Sequence, residues 1–120
     1  MSKDVQVLFT STERTATDSR TFSTECCEGL FYINVTAASL TPSVVFTIAG
    51  LDPVGSTAYT ILASAAITGT GLTVLRVSPQ LTAAANTIAK DMLPMTMKVT
   101  ATHADTDPIT YSFSFVGVGE

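Results

Sequence analysis

The residues able to carry chemistry are few and scattered. His103 is the only histidine and the one side chain expected to titrate near neutral pH unaided. Asp105 and Asp107 follow it closely, inside Ala104-Asp105-Thr106-Asp107-Pro108. A nucleophile–base arrangement would have to recruit His103, yet no Gly-x-Ser-x-Gly elbow is present. The two aspartates offer fewer oxygens than a calcium loop supplies. They read as solvated turn residues, and His103 as an exposed histidine at a strand end. Cys26 and Cys27 are adjacent. A bridge between neighbours in sequence is strained, and one histidine leaves them short of partners for a zinc site. The expectation is two free thiols, one inward and one outward on a strand edge, with a redox switch or intermolecular bridge as the alternative. Gly69-Thr70-Gly71 and Gly117-Val118-Gly119 do not match nucleotide-binding loops. Asn34-Val35-Thr36 fits a glycosylation sequon but falls in mid-strand. Paired carboxylates of the glycosidase kind can lie far apart in a chain, but the acids here fall mostly in loops and at the termini. Met92, Met95 and Met97 cluster around Pro94 and read as gap-fillers for a core or an interface. The residues therefore point to no enzyme, no cofactor and no metal.

Composition is consistent with a folded domain. The chain has 120 residues, 46% of them apolar and 13% charged. That length fits one domain with a real core. Ser and Thr make up roughly a quarter of the chain, a bias suited to strands with one face in water. The net charge is −4, and the six basic residues (Lys3, Arg14, Arg20, Arg76, Lys90 and Lys98) form no patch. A nucleic-acid partner is not expected. Neither is a membrane partner, since no apolar run approaches the length of a spanning helix. The opening Met1-Ser2-Lys3-Asp4 lacks the apolar core of a signal peptide, so synthesis in the cytoplasm is expected.

Period-two alternation marks the elements that must position any site. Residues 5–10 read as a short strand, and the polar stretch 11–25 as an extended arm or loop. Phe31, Ile33 and Val35 alternate with Tyr32, Asn34 and Thr36; Val44, Phe46 and Ile48 alternate with Val45, Thr47 and Ala49. Gly50–Ser56 is a turn around Asp52-Pro53. Residues 57–78 read as a hairpin turning at Gly69-Thr70-Gly71, with Tyr59, Ile61 and Ala63 on one face of its first arm. The alanine-rich stretch 80–91 allows one or two helical turns or a long connection between sheets. Met95, Met97, Val99 and Ala101, then Ile109, Tyr111, Phe113 and Phe115, read as the cleanest hairpin. Seven to eight strands predict an all-β, antiparallel β-sandwich with an N-terminal arm, a closed β-barrel being the alternative. The expected division is a strand and arm over 1–25 and a sandwich over 26–120.

Several short segments then occur in a telling order. They are Arg14-Thr15-Ala16-Thr17, Gly29-Leu30, Asn34-Val35-Thr36-Ala37, Phe46–Pro53 and Tyr59–Ser64. Leu75–Thr82, Asn86, Leu93-Pro94 and Ile109–Ser112 complete the series. In order and spacing the chain resembles small β-rich virion structural proteins of tailed bacteriophages, most of all capsid decoration (cement) proteins. The resemblance runs from about Arg14 over nearly the whole chain. It departs from the group's pattern at Pro79-Gln80 and at Met95-Thr96-Met97. It implies a homotrimer or other homo-oligomer on the capsid surface of the virion, with the major capsid protein as partner. A tail, neck or tail-tube component is the alternative, and a stand-alone glycan- or protein-binding module a further one. The candidate contacts are Val5, Val7 and Phe9 as apolar anchors, with Arg14 and Arg20 facing coat acids.

Overall fold

The computed structural model describes residues 2–119, with side chains described from Asp4 onward. Met1 and Glu120, the outer ends of the two expected divisions, lie outside the described residues. The strands are β1 (Ser2–Arg14), β2 (Asp18–Ser23), β3 (Glu28–Ala38), β4 (Val44–Leu51), β5 (Ala58–Ala63), β6 (Gly71–Val77), β7 (Ile88–Ala89), β8 (Thr96–His103) and β9 (Ile109–Gly119). They form a five-stranded sheet, β1-β9-β3-β6-β7, and a four-stranded sheet, β2-β8-β4-β5. All pairings are antiparallel except the short β6–β7 pair. The two sheets face each other without closing into a barrel, so the chain is a β-sandwich.

The expected alternation fills the space between the sheets. Phe31, Ile33, Leu75, Tyr111, Phe113 and Phe115 point inward from the five-stranded sheet; Phe46, Ile48, Met97, Val99 and Ala101 meet them from the other. Aromatic edges join the layers: the Phe46 ring stands 5.0 Å from Tyr111 and 5.3 Å from Phe113, near perpendicular to both. Phe22 lies 5.1 Å from Phe115. Such edge contacts add about 0.5–1.5 kcal/mol each beyond burial. Gly29 and Gly117 face each other across β3 and β9. A Cβ at Gly29 would run into the Phe115 ring, and one at Gly117 would lie 2.8 Å from it. These two glycines therefore make room for Phe115.

Three expectations need correction. First, the polar stretch 11–25 is not an arm. Residues 11–14 continue β1, which pairs with β9 from Ser2↔Gly119 to Arg14↔Ile109, and residues 18–23 form β2, paired with β8. Both are margin strands, and β2 buries only Phe22 fully among its side chains, so no apolar alternation marks them. Second, residues 57–78 are not a hairpin: β5 pairs with β4, whereas β6 pairs with β3 in the other sheet. The true hairpin is β4–β5, closed where Asp52 N–H donates to Thr57 O at 2.9 Å and Ser56 N–H to Asp52 O at 2.9 Å. A β-bulge between Ile48 and Ala49 shifts its register, and Leu62 rather than Tyr59 becomes the buried residue of β5. Third, β8 and β9 lie in opposite sheets. Alternation looks the same whether two strands pair side by side or stack face to face. The 80–91 segment is the long connection, with no helix. Asn86 Nδ2 donates to Ala63 O at 3.1 Å and ties it to the β5 margin.

Candidate interaction surface

The five sequence-derived candidates separate into two places. Val5 and Val7 are 69% and 64% exposed on the solvent face of the five-stranded sheet. Phe9 is fully buried. It cannot serve as a surface anchor, because a register shift between Val7 and Phe9 turns the strand and sends Leu8 and Phe9 into the core. Arg14 and Arg20 lay their guanidinium groups against Phe9, and Arg20 keeps 41% of its side chain exposed.

That second place is the margin where β1 adjoins β2. The Arg14 guanidinium carbon lies 5.0 Å from the Phe9 ring centre and 5.5 Å from that of Tyr111; Arg20 lies 4.6 Å from Phe9. Arg14 Nη2 donates to Thr10 O at 2.9 Å. Arg20 Nη1 donates to Asp18 Oδ2 at 2.7 Å and to Ser19 O at 2.9 Å. The hydrogen bond from Arg20, helped by the Ser19 N–H, holds the Asp18 carboxyl below its ordinary range. Gln6 Nε2 spans the seam to Ser23 O at 2.8 Å. The inward positions of β2 are thus Asp18, Arg20 and Phe22, the first two taken by a half-exposed ion pair whose Arg20 guanidinium lies over the Phe9 ring. The arrangement seals an open margin of the core, with cations over ring faces.

His103 belongs to the same corner. Its Nε2 lies 3.0 Å from Tyr111 Oη, and its backbone N–H donates to Thr17 Oγ1 at 2.9 Å. Burial lowers its pKa below 6.5; Asp105 opposes this and Arg14 adds to it. Burial pushes Tyr111 up to about 12, so its phenol stays protonated through the physiological range. His103 Nδ1 and Arg14 Nε are buried without a hydrogen-bond partner. Asp105 Oδ1 accepts from Asp107 N–H, and Asp107 Oδ2 accepts from Thr41 N–H and Oγ1, so both acids work as turn clamps. Cys26 is buried and Cys27 exposed, both free. Met97 is in the core, while Met92 and Met95 are exposed. Among the described residues, no group of three His, Cys, Asp or Glu is gathered as a metal site requires. Among the same described residues, no helix is long and apolar enough to cross a membrane.

The larger candidate is the solvent face of the five-stranded sheet. Strand register places its side chains in rows. One row is Val5, Val116, Leu30 and Arg76; the next is Val7, Ser114, Tyr32 and Val74; a third is Ser112, Asn34 and Leu72. Leu72 is 62% exposed, and Leu30, Tyr32, Val74 and Val116 are partly so. Val118 and Glu28 continue the face at one end, where a depression of about 310 Å³ opens beside Arg76, Gln80 and Leu81. Its polar lining is tied together: Ser78 Oγ hydrogen-bonds Glu28 and accepts from Gln80 N–H.

The opposite solvent face is built differently. Ser19↔Thr100, Thr21↔Lys98 and Ser23↔Thr96 run across β2 and β8, and Thr47↔Thr100 and Val45↔Thr102 across β4 and β8. One outer face is thus mostly hydroxyl and the other mostly aliphatic. The composition average hides this split; the strand register reveals it, because residues 5, 7, 30, 72, 74 and 116 become neighbours only through pairing. No protein-family model, curated protein or solved structure matches the chain.

Proposed function

We propose that this chain is a structural part of a tailed-phage particle: a capsid decoration protein that binds the outside of the shell and braces neighbouring subunits of the major capsid protein. The ordered resemblance from Arg14 to Tyr111 supports the particle. The observation that carries the structural role is the unequal pair of outer faces. A face that shows valine, leucine and tyrosine in successive rows is suited to being covered, whereas its counterpart is suited to water. A brace needs area and shape rather than a reactive group, and many weak contacts add up on a repeating lattice. Val5 and Val7 stand on the face that the assembly covers. Arg14 and Arg20 act by holding the margin that carries β1.

The test is reconstitution. Purified chain is added to shells that lack it, and the particles are sedimented and reconstructed. Density repeating over the coat lattice is the expected result. Density at a single vertex or along the tail would move the chain to a neck or tail-tube role, and absence of co-sedimentation would sink the assignment.

A further inference from the structure

We infer that the apolar face of the five-stranded sheet is covered by a second copy of this chain, packed sheet on sheet about a two-fold axis. This rests on the reading of the chain as an assembly part and names the neighbour at that face.

Charge favours this face as the place where copies meet. The chain carries −4 overall, so copies repel each other over most approaches. Across the three rows from Val5 to Leu72 the only formal charge is Arg76. Beyond one end Glu28 and Lys3 are both register partners of Val118, and beyond the other Glu13 lies opposite Thr110. This stretch of sheet lets two acidic copies meet without bringing carboxylates together.

Shape favours the same pairing. Sheet faces carrying aliphatic side chains pack on each other about 10 Å apart with strands within about 30°. A face of this kind is its own complement, which a two-fold interface requires.

The area of the face sets the strength of the pairing. Strands β1, β9, β3 and β6 at about 4.8 Å spacing, over the stretch Ser112–Val118 at about 3.4 Å per residue, give a footprint of roughly 450 Å². Two copies cover about 900 Å² in projection and more in accessible surface, close to the lower limit of about 1,200 Å² for a stable interface. The dimer is therefore concentration-dependent in solution and reinforced wherever copies are held near one another.

Sedimentation velocity on the purified full chain tests this. The expected result is a monomer–dimer equilibrium across the micromolar range. Val7→Lys and Leu72→Lys, both at well-exposed positions, should each weaken it more than about tenfold by forcing an unpaired ammonium into the interface. Thr102→Lys on the hydroxyl face should leave it unchanged. Unaltered melting temperatures show that the variants are folded. A chain that stays monomeric up to about 1 mM, or a dimer lost with Thr102→Lys but kept with Leu72→Lys, overturns the pairing. Co-sedimentation with shells is measured separately. Intact attachment by a strictly monomeric chain removes the pairing alone, whereas a normal dimer that fails to attach removes the capsid assignment and leaves the pairing in place.

Discussion

At the scale of single residues, His103 and Leu40 make opposite predictions about stability. His103 is held neutral by burial beside Tyr111 Oη, so its pKa in the folded chain lies below 6.5. The unfolded chain then takes up a proton more readily. The stability linked to His103 is complete above the ordinary histidine pKa and is lost as pH falls from there through the folded value. The urea midpoint should therefore drop between pH 7.5 and 5.5. His103→Gln, which can still bond Tyr111, should flatten that drop; an unchanged slope would show that His103 is not its source. The depressed Asp18 carboxyl acts in a separate, lower window, below about pH 4. Leu40 shows the converse, a cost built into the fold. It has φ +63° and is 81% exposed, between Ser39, whose N–H donates to Pro108 O, and Thr41, bound to Asp107. A branched side chain in the left-handed region costs roughly 1 kcal/mol, which asparagine largely avoids. Leu40→Asn should raise stability by about 0.5–1 kcal/mol in chemical denaturation, and a loss of stability would contradict the strain.

At the scale of elements, what could be read depended on where a strand sits. β3, β4, β8 and β9 each show a clean apolar row in sequence because each lies inside its sheet, with one face on the core. β1 and β2 lie at a margin, and arginine fills inward positions there, so Arg14 and Arg20 looked like surface contacts instead of covers for Phe9. Pairing was not legible at all. Two alternating strands joined by a short Asp- and Pro-rich turn satisfy the same pattern whether they form a hairpin, as β4 and β5 do, or cross between sheets, as β8 and β9 do. The apolar outer face was hidden for the same reason. Val7, Tyr32 and Val74 are far apart in the chain and meet only through the β1–β9–β3–β6 register. The glycines opposite one another in β3 and β9 allow a direct check of that register. Gly29→Ala places a methyl against Phe115, which is fully buried and cannot swing away. The expected loss is about 1–3 kcal/mol, read from the denaturant midpoint at constant slope, and Phe115→Leu in the same chain should recover part of it. A neutral Gly29→Ala would mean that β3 and β9 are not paired in this register.

At the scale of the whole molecule, the pairing of the first strand with the last decides how the chain can be dissected. β1 lies along β9 for almost its entire length, so the five-stranded sheet is complete only when β1 and β9 are both in place. An arm could be removed without harm to the domain it hangs from; β1 cannot. Removing residues 1–14 takes Leu8 and Phe9 out of the core, strips the cation from above Tyr111, and leaves β9 with a bare edge. Loss of the Phe9 side chain alone should cost about 3–5 kcal/mol, a large part of the roughly 5–15 kcal/mol that separates a folded domain of this kind from its unfolded chain. A bare edge on a long apolar strand also invites pairing between chains. The shortened chain should therefore be unfolded or aggregated by circular dichroism and gel filtration, and its failure to bind shells would say nothing about contacts made by β1. Val5→Lys and Val7→Lys are the informative alternatives, because both side chains point to solvent and leave Phe9 in place. A shortened chain that stayed monomeric with a cooperative melt would show that the sandwich stands without β1 and would return residues 1–14 to the status of an arm.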